Sequence, residues 1–272
     1  TFGGYRSRWF APDYMGWNFE PREGAAAQIH ERLADITLSM KAKHYLDMPP
    51  LIITDVWVDL PAECTAQYRE LEREMFLQLE DDTVEAANGG VLTGKCRQLA
   101  NGFLFINDGT DWTAVHEEKL QALDDIIEER EGRSLLIAYQ FKPDLARLRK
   151  RYPRAVVYTE AKDPIALEEE WNEGKHQLML IHPQSAGHGL NLQGGTDALA
   201  LYGVGWSLDQ YEQTIARIAG GLRRQRPTFV YRIVARDTVD VDVLEALASN
   251  RTIQDVLMEE VRRRRSLNRQ RA

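Results

Sequence analysis

Short apolar runs alternate with amphipathic segments in the second half of the chain. The segments KPDLARLRKRY, PIALEEEWNEG and SLDQYEQTIARIAG have apolar residues at helical spacing. Apolar strands separated by such helices are typical of a parallel sheet covered on both faces. The pattern therefore predicts an α/β domain over residues 113–272. Its predicted strands are SLLIAY (134–139), AVVY (155–158), QLMLIH (177–182), DALALYGV (197–204) and TFVYRIV (228–234).

The first 112 residues have a different pattern. Residues 1–50 start with aromatic residues and arginines, continue with the helical stretch GAAAQIHERLADITLSM, and end at two prolines that terminate a helix. In residues 51–112, LIITDVWVDLP alternates as a strand does, whereas AECTAQYRELEREMFLQLE has helical spacing. We therefore expect residues 1–50 to be a separate segment and residues 51–112 to be a helical lead-in to the α/β domain.

Composition and charge exclude several classes of protein. Hydrophobic residues make up 43% and charged residues 28% of the chain, as in ordinary globular proteins. No apolar run approaches the roughly 20 residues that span a membrane, so we expect no membrane partner and a cytoplasmic location. The two cysteines, Cys64 and Cys96, lie too far apart for a disulfide framework or a zinc site. The net charge of −8 confines any nucleic-acid contact to a local patch, for which the tail RRRRSLNRQRA is one candidate.

The stretch GGVLTGKC (89–96) is close to a nucleotide-binding P-loop but lacks its chemistry. A P-loop reads G-x-x-x-x-G-K-[ST], follows a buried strand, and binds magnesium through the hydroxyl after its lysine. Cys96 has no hydroxyl, and the preceding LEDDTVEAAN is polar. We interpret the stretch as a loop that enters a helix, within LTGKCRQLANGFLF, with Lys95 in the loop. No D-E-x-[HD] sequence occurs either, so this chain alone should bind ATP weakly and hydrolyse none.

The segment HPQSAGHGLNLQGG (182–195) follows a predicted strand and suits ligand binding. Its small residues, among them Gly187 and Gly189, allow a backbone to approach a ligand closely. Ser185 and Asn191 add side-chain hydrogen bonds. In parallel sheets, ligands bind at loops that leave the carboxyl ends of strands. Its histidines, six residues apart with no third ligand evident, predict no metal site.

The segment WSLDQYEQTIARIAGGLRRQRP (206–227) carries a set of arginines. Gln213 and Arg217 are four residues apart and share one face of a predicted helix. Arg223 and Arg224 follow the double glycine that ends this helix. A guanidinium binds phosphate oxygens through two parallel hydrogen bonds, so arginines beside the carboxyl edge of a sheet favour a phosphate ligand.

The order of these two segments resembles motifs V and VI of the Swi/Snf-like branch of superfamily 2 helicases. A Ser-Ala-Gly-x-Gly-Leu-Asn-Leu loop is followed by a tryptophan and then by Gln-x-x-x-Arg. Further stretches look like other parts of that family, and the resemblance covers most of the chain. They are SLLIAYQF (motif IV), CRQLANG (the helix before motif IV), ADITLSMKAKHYLDMPP (the segment joining two RecA-like lobes) and IVARDTVDVDVLEAL (the closing turn and helix).

The resemblance implies the second RecA-like lobe of an ATP-dependent helicase or translocase, closest to phage-type members. Arg217 would reach ATP across the lobes, with a second arginine at Arg223 or Arg224, because a glycine stands at position 220 where the family has arginine. Residues 1–50 would be the inter-lobe linker. Other residues implied are Gln213, Gly187, Gly189 and Asn191 on the nucleotide side, and Gln140 and Ser185 on the DNA backbone.

Two functions remain open from the sequence. The first is half of an enzyme whose N-terminal RecA-like lobe, with a P-loop and a D-E-x-H box, would hold ATP and Mg²⁺. Because the chain starts at Thr1 rather than methionine, we expect it to be a fragment that follows this lobe. The second is a non-catalytic RecA-like scaffold that binds protein or nucleic acid. The coding sequence upstream of Thr1 distinguishes them.

Overall fold

The computed structural model describes residues 2–12, 19–33, 49–80, 86–106, 111–185, 190–205, 207–219, 226–249 and 256. It divides the chain into two compact units, Thr1–Met48 and Pro49–Ala272. In the first unit a short helix is followed by an antiparallel strand pair and a second helix. These elements are α1 (Phe2–Trp9), β1 (Phe10–Pro12), β2 (Phe19–Pro21) and α2 (Ala25–Leu33).

Arginines stack on aromatic rings within the first unit. The guanidinium carbon of Arg6 lies 4.2 Å from the centroid of the Phe19 ring. Arg8 lies 4.9 Å from the ring centroid of Trp9, whose side chain is buried. Arg22 donates from Nε to the carbonyl of Phe10 at 3.2 Å, which joins β2 to β1. The arginines and aromatic residues of this segment therefore pack against one another.

The second unit contains a six-stranded, all-parallel sheet in the order β3-β10-β9-β6-β8-β7. A separate antiparallel hairpin consists of β4 (Phe103–Ile106) and β5 (Asp111–Ala114). The sheet strands are β3 (Leu51–Val58), β6 (Leu135–Ala138), β7 (Val156–Val157), β8 (Leu178–Ile181), β9 (Ala198–Leu201) and β10 (Thr228–Ala235). The helices are α3 (Ala62–Glu80), α4 (Ala86–Asn101), α5 (Glu118–Glu129), α6 (Lys142–Arg151), α7 (Pro164–Asn172), α8 (Leu208–Ala216) and α9 (Val239–Ser249).

The central strands bury side chains on both faces of the sheet. In β6, Leu135 and Ile137 pack with α5 and α6, whereas Leu136 and Ala138 pack with α7 and α8. All four are fully buried. Because successive residues of a strand point to opposite faces, a strand covered on both sides must be apolar throughout. The predicted RecA-like parallel sheet with helices on both faces is confirmed.

The region expected as a helical lead-in contributes to the same sheet. Strand β3 pairs in parallel with β10 along its whole length, from Leu51 opposite Thr228 to Val58 opposite Ala235. Helices α3 and α4 pack together around Tyr68, which also meets α9 through a hydrogen bond from the backbone N–H of Val239 to its hydroxyl at 2.6 Å. The expected boundary at residues 112–113 therefore does not separate two bodies.

Two local predictions in this region are wrong. GGVLTGKC is not a loop, because helix α4 runs from Ala86 to Asn101 and includes it. Lys95 is exposed on that helix, where the backbone N–H groups bond within the helix and cannot cradle phosphate. The predicted continuation of this helix through GFLF is also wrong, since Gly102 ends it and Phe103 begins strand β4. Packing of Cys96 and Leu99 outweighs the low helix propensity of the glycines.

Strand β3 forms one edge of the sheet and keeps large apolar side chains in solvent. Leu51, Ile52, Ile53 and Trp57 are between 39% and 45% exposed. No other strand in the described part of the chain pairs with the outer side of β3. The register against β10 is supported by an ion pair in which Asp55 accepts from the guanidinium of Arg232.

We expect Gly102→Ala to destabilise the second unit strongly. Gly102 has a φ of +91°, and an added Cβ would lie 2.4 Å from the carbonyl oxygen of His116. Gly132 is a matched control, because its φ is +83° but nothing lies within 4 Å of an added Cβ. Gly132→Ala should lower the free energy of unfolding by about 1–2 kcal/mol, and Gly102→Ala by about 1–3 kcal/mol more through overpacking. Equal losses in denaturant unfolding would show that the close approach at Gly102 is relieved without cost.

Candidate functional site

The carboxyl edge of the sheet brings Gln140 and Ser185 to neighbouring loops. Gln140 follows β6, and Ser185 follows the adjacent strand β8. His182 joins the two loops, because its Nε2 lies 3.1 Å from the carbonyl oxygen of Gln140 and its own carbonyl accepts from Ser185 Oγ at 2.7 Å. The Tyr139 ring packs edge-on against His182 at 5.5 Å. Sequence reasoning discounted His182 as a metal ligand, and its observed role is to hold both loops.

The buried carboxylate of Asp144 binds the backbone of the Gln140 loop. Asp144 Oδ2 accepts from the backbone N–H groups of Gln140 and Phe141 at 3.3 and 3.0 Å. The side chain of Gln140 lies over the loop after β9, since a Cβ built on Gly205 would be 3.0 Å from Gln140 Oε1. The carboxyl ends of β6, β8 and β9 therefore form one continuous surface.

Arg217 lies at a different place. It follows the last residue of α8, which runs back from the carboxyl end of β9 towards the amino edge. Leu192 donates its backbone N–H to the Arg217 carbonyl at 3.1 Å. Four residues later, Thr196 Oγ1 donates to the carbonyl of Ser134, immediately before β6, at 2.5 Å. Helix α8 therefore carries Arg217 away from the carboxyl end of β9, towards the opposite edge of the sheet.

The guanidinium of Arg217 contacts the connection between β8 and β9. Its Nη1 donates to the carbonyl of Leu190 at 3.2 Å. Asn191 is exposed next to this contact, where its carbonyl accepts from Asn172 Nδ2 at 2.8 Å. Gln213 donates its side-chain N–H to Asp209 at 2.8 Å and is partly exposed. The structure thus brings together Asn191 and Arg217, with Gln213 one helical turn away on α8.

Four predicted site residues lie outside the described residues. They are Gly187, Gly189, Arg223 and Arg224. The choice between the two arginines therefore stays a prediction. Among the described residues, no group of histidine, cysteine and acidic side chains could hold a metal ion, and no helix is long and apolar enough to span a bilayer.

A buried polar cluster beneath the carboxyl edge has no counterpart among the predicted residues. Lys119 is fully buried and donates from Nζ to Asp240 Oδ2 at 2.5 Å and to Asn101 Oδ1 at 2.8 Å. Asn101 in turn donates from Nδ2 to Asp144 Oδ2 at 3.0 Å. Asp240 Oδ2 also accepts the backbone N–H of Ala235. A charged pair paired and hydrogen-bonded in this way can be buried without large cost.

Comparison with known proteins finds one family model that matches part of the second unit. Residues 118–220 match the helicase conserved C-terminal domain. The match includes strands β6 to β9, helices α5 to α8, and the described residues Gln140, Ser185 and Arg217. Residues 118–220 are therefore similar to a helicase C-terminal domain.

One phage protein and two solved structures are similar to most of the chain. Protein p41 of Acyrthosiphon pisum secondary endosymbiont phage 1 is 39% identical over 97% of this chain, which spans 58% of the length of p41. The C-terminal part of the Fun30 ATPase domain has a TM-score of 0.60 at 14% identity, over 74% of this chain and 89% of that one. The Sulfolobus solfataricus SWI2/SNF2 ATPase core in complex with dsDNA has a TM-score of 0.56 at 18% identity, over 91% of this chain and 54% of that one. These likenesses show that the chain shares its fold with the C-terminal part of the Fun30 ATPase domain and with part of the SWI2/SNF2 ATPase core.

A cavity of about 610 Å³ lies on the far side of the helicase C-terminal domain, at the sheet edge formed by β7. Val156, Val157 and Leu167 contribute apolar surface, while Arg149 and Glu160 form an ion pair beside it at 2.8 Å. None of the predicted site residues lines it. Its walls carry charges of both signs.

Burial shifts the pKa values of two groups, Asp144 of the buried cluster and His116. It lowers the pKa of His116 to about 4, chiefly by desolvation of the imidazolium. Its Nε2 lies 2.7 Å from the carbonyl of Leu99 and its Nδ1 accepts from the Glu118 N–H, which assigns the proton to Nε2. Burial also raises the pKa of Asp144 to about 6, against the lowering effect of the N–H groups of Phe141 and Gln140.

These shifts predict opposing pH effects on stability. Between pH 6.5 and 4 the unfolded chain protonates His116 and the folded chain does not, so acidification costs stability. Between pH 6 and 3.8 the folded chain protonates Asp144 first, so acidification restores stability. We expect acidification from pH 7 to 4.5 to lower the unfolding free energy of His116→Gln less than that of wild type, by up to about 3 kcal/mol.

Asp144→Asn tests the opposite sign. It should lose stability more steeply than wild type over the same interval, because the compensating protonation is absent. Denaturant unfolding of the three proteins at pH 7 and pH 4.5 measures both effects. Parallel pH profiles for all three would contradict the assigned shifts.

Proposed function

We propose that this chain is the C-terminal lobe of an ATP-dependent DNA helicase or translocase. The family match over residues 118–220 and the likeness to an ATPase core solved with dsDNA support the proposal. The observation that carries it is the hydrogen bond from Arg217 to the carbonyl of Leu190. This hydrogen bond joins Arg217 to the β8–β9 connection, which also contains Ser185. One segment therefore links the proposed ATP contact of Arg217 to the proposed DNA contact of Ser185.

The proposed role of Arg217 follows from charge. An N-terminal RecA-like lobe would hold ATP and Mg²⁺, and this lobe would supply arginine when the lobes close. A guanidinium at the γ-phosphate stabilises the charge that develops there during phosphoryl transfer. Until closure, the Leu190 carbonyl holds the guanidinium at the end of α8. The second arginine of the pair would be Arg223 or Arg224.

The proposed DNA contacts are neutral and lie at the other edge of the sheet. Gln140 and Ser185 carry side-chain donors suited to phosphate oxygens, and both are accessible. Contacts to the DNA backbone position a protein without reading sequence. Binding and release of a strand at this edge would move the β8–β9 connection, and with it the contact to Arg217.

Arg217→Ala in the full-length protein should abolish most DNA-stimulated ATP hydrolysis. Loss of a cross-lobe arginine costs about 10³ to 10⁵ in turnover. ATP affinity should stay within a few fold, because the contact forms chiefly in the transition state. Arg217→Lys should recover little, since an ammonium cannot reproduce the two parallel hydrogen bonds of a guanidinium. Steady-state phosphate release and nucleotide binding give the two quantities.

Two matched variants complete that experiment. Arg149→Ala removes an exposed arginine from the surface of α6, and Lys95→Ala removes the lysine of the false P-loop. Both should leave turnover nearly unchanged. A folded Arg217→Ala protein with normal turnover would contradict the proposed role. A coding sequence without a P-loop and a D-E-x-H box upstream of Thr1 would favour the scaffold function instead.

DNA binding by this chain should be weak, salt-sensitive and independent of sequence. Gln140→Ala and Ser185→Ala should each lower affinity roughly 2- to 10-fold, the value of one hydrogen bond. The loss should be equal for unrelated duplexes, and the slope of affinity against salt should stay constant, because neutral groups release no counterions. Fluorescence anisotropy with labelled duplexes of two unrelated sequences measures both.

Gln177→Ala is the control for these variants. Gln177 is an exposed glutamine at the amino end of β8, on the opposite edge of the same sheet. Its loss should leave DNA affinity unchanged. A strong preference for one duplex, or an equal effect of Gln177→Ala, would count against DNA binding at the carboxyl edge.

A further inference from the structure

The side chain and carbonyl of Asn101 connect four parts of the second unit. Asn101 ends helix α4 and is 3% exposed. Its carbonyl accepts from Arg147 Nη1 of α6 at 2.5 Å and from the Tyr202 hydroxyl after β9 at 3.4 Å. Its amide accepts from Lys119 of α5 and donates to Asp144 of α6. The end of α4 is therefore fixed against both the β6 and the β9 loops.

Asn101 separates an ammonium from a carboxylate. Its Oδ1 accepts a hydrogen bond from Lys119 Nζ at 2.8 Å, while its Nδ2 donates a hydrogen bond to Asp144 Oδ2 at 3.0 Å. A neutral amide carries both an acceptor and a donor, so it can bridge the ammonium and the carboxylate in this way. Without it, Lys119 would be free to pair with Asp144 directly. That would compete with the hydrogen bonds by which Asp144 holds the backbone of Gln140 and Phe141.

The loop after β9 depends on the same amide. A Cβ built on Gly203 would lie 2.6 Å from Asn101 Nδ2, so the backbone of this loop touches the amide directly. Two residues later, Gly205 lies under the side chain of Gln140. Gln140 is thus supported by Asn101 from two directions, through Asp144 and through the Gly203–Gly205 backbone.

We propose that Asn101 is a positioning residue that holds Gln140 in place for its contact with the DNA backbone. The inference rests on the DNA-binding role proposed above. Asn101 lies in the segment CRQLANG, which follows the false P-loop and precedes the helicase C-terminal domain in sequence. Asn101 is therefore one side chain through which α4 contacts the loops at the carboxyl edge, another being Arg97, which donates to the carbonyl of Val204 at 3.0 Å.

A double-mutant cycle between Asn101 and Gln140 tests this proposal. Asn101→Ala should weaken duplex binding by about the same 2- to 10-fold as Gln140→Ala. The double variant should bind no more weakly than Gln140→Ala alone, because the two residues act through one contact. A purely structural effect of Asn101 would instead add to that of Gln140. Binding of a labelled duplex by the full chain gives all four affinities.

Hydrogen exchange supplies a second measurement. In Asn101→Ala, the amides of Gln140 and Phe141 should exchange faster, while those of Leu136 to Ala138 in the sheet stay protected. Gln177→Ala is the control, because Gln177 is exposed at the amino end of β8, on the opposite edge of the same sheet. It should change neither DNA affinity nor exchange at Gln140. If Asn101→Ala does not fold, Asn101→Ser leaves a smaller cavity and still cannot bridge Lys119 to Asp144.

The outcomes separate the two proposals. Loss of binding with Gln140→Ala but not with an Asn101 variant, or additive losses, overturns the positioning role and leaves the DNA contact intact. No loss with Gln140→Ala removes the DNA role of Gln140 and the positioning role together. Equal, non-additive losses with faster exchange at Gln140 and Phe141 support both.

Discussion

Buried charge is the constraint on which the second unit depends. Lys119 has no exposure to water, so its ammonium must keep Asp240 and Asn101 within hydrogen-bonding distance. Removing one partner from a buried pair typically costs about 3–5 kcal/mol. Because Lys119 and Asp240 are 121 residues apart, this one pairing joins α5 to the first turn of α9. The loops after β6 and β9 therefore contact a buried cluster whose charged pair fixes its geometry.

A sheet covered on both faces leaves only its edges for chemistry. Helices α5 and α6 occupy one face and α7 and α8 the other, so accessible groups gather where strands begin or end. The connection from His182 to Thr196 starts at the carboxyl edge and reaches the amino edge. This connection contains both Ser185 and Leu190, whose carbonyl accepts a hydrogen bond from Arg217.

The sequence predicted the structure best for strands that are buried on both faces of the sheet. Continuous apolar runs such as that of β6 can form only a two-sided strand, so the parallel sheet followed directly from them. The order of the Ser185 and Arg217 segments led to the helicase family through resemblance, but their positions on opposite edges depend on the direction of α8. Asn101 and Lys119 look like ordinary surface residues in sequence, since their partners are brought to them only by the tertiary fold. The first part of helix α4 was taken for a loop because its glycines are poor helix formers, whereas its buried contacts with α3 and α9 make it helical.

Strand β3 has a consequence for the colloidal behaviour of the chain. Its apolar side chains sit on an eight-residue edge with unpaired backbone groups in the described part of the sheet. Such an edge is a template on which another strand can add, and natural proteins protect it with charge, proline or a covering element. Asp55 is the one charge within β3, and it is engaged with Arg232. Concentrated solutions of the chain should therefore self-associate through this strand before the fold itself is lost, and a lysine in place of Ile53 would oppose that association.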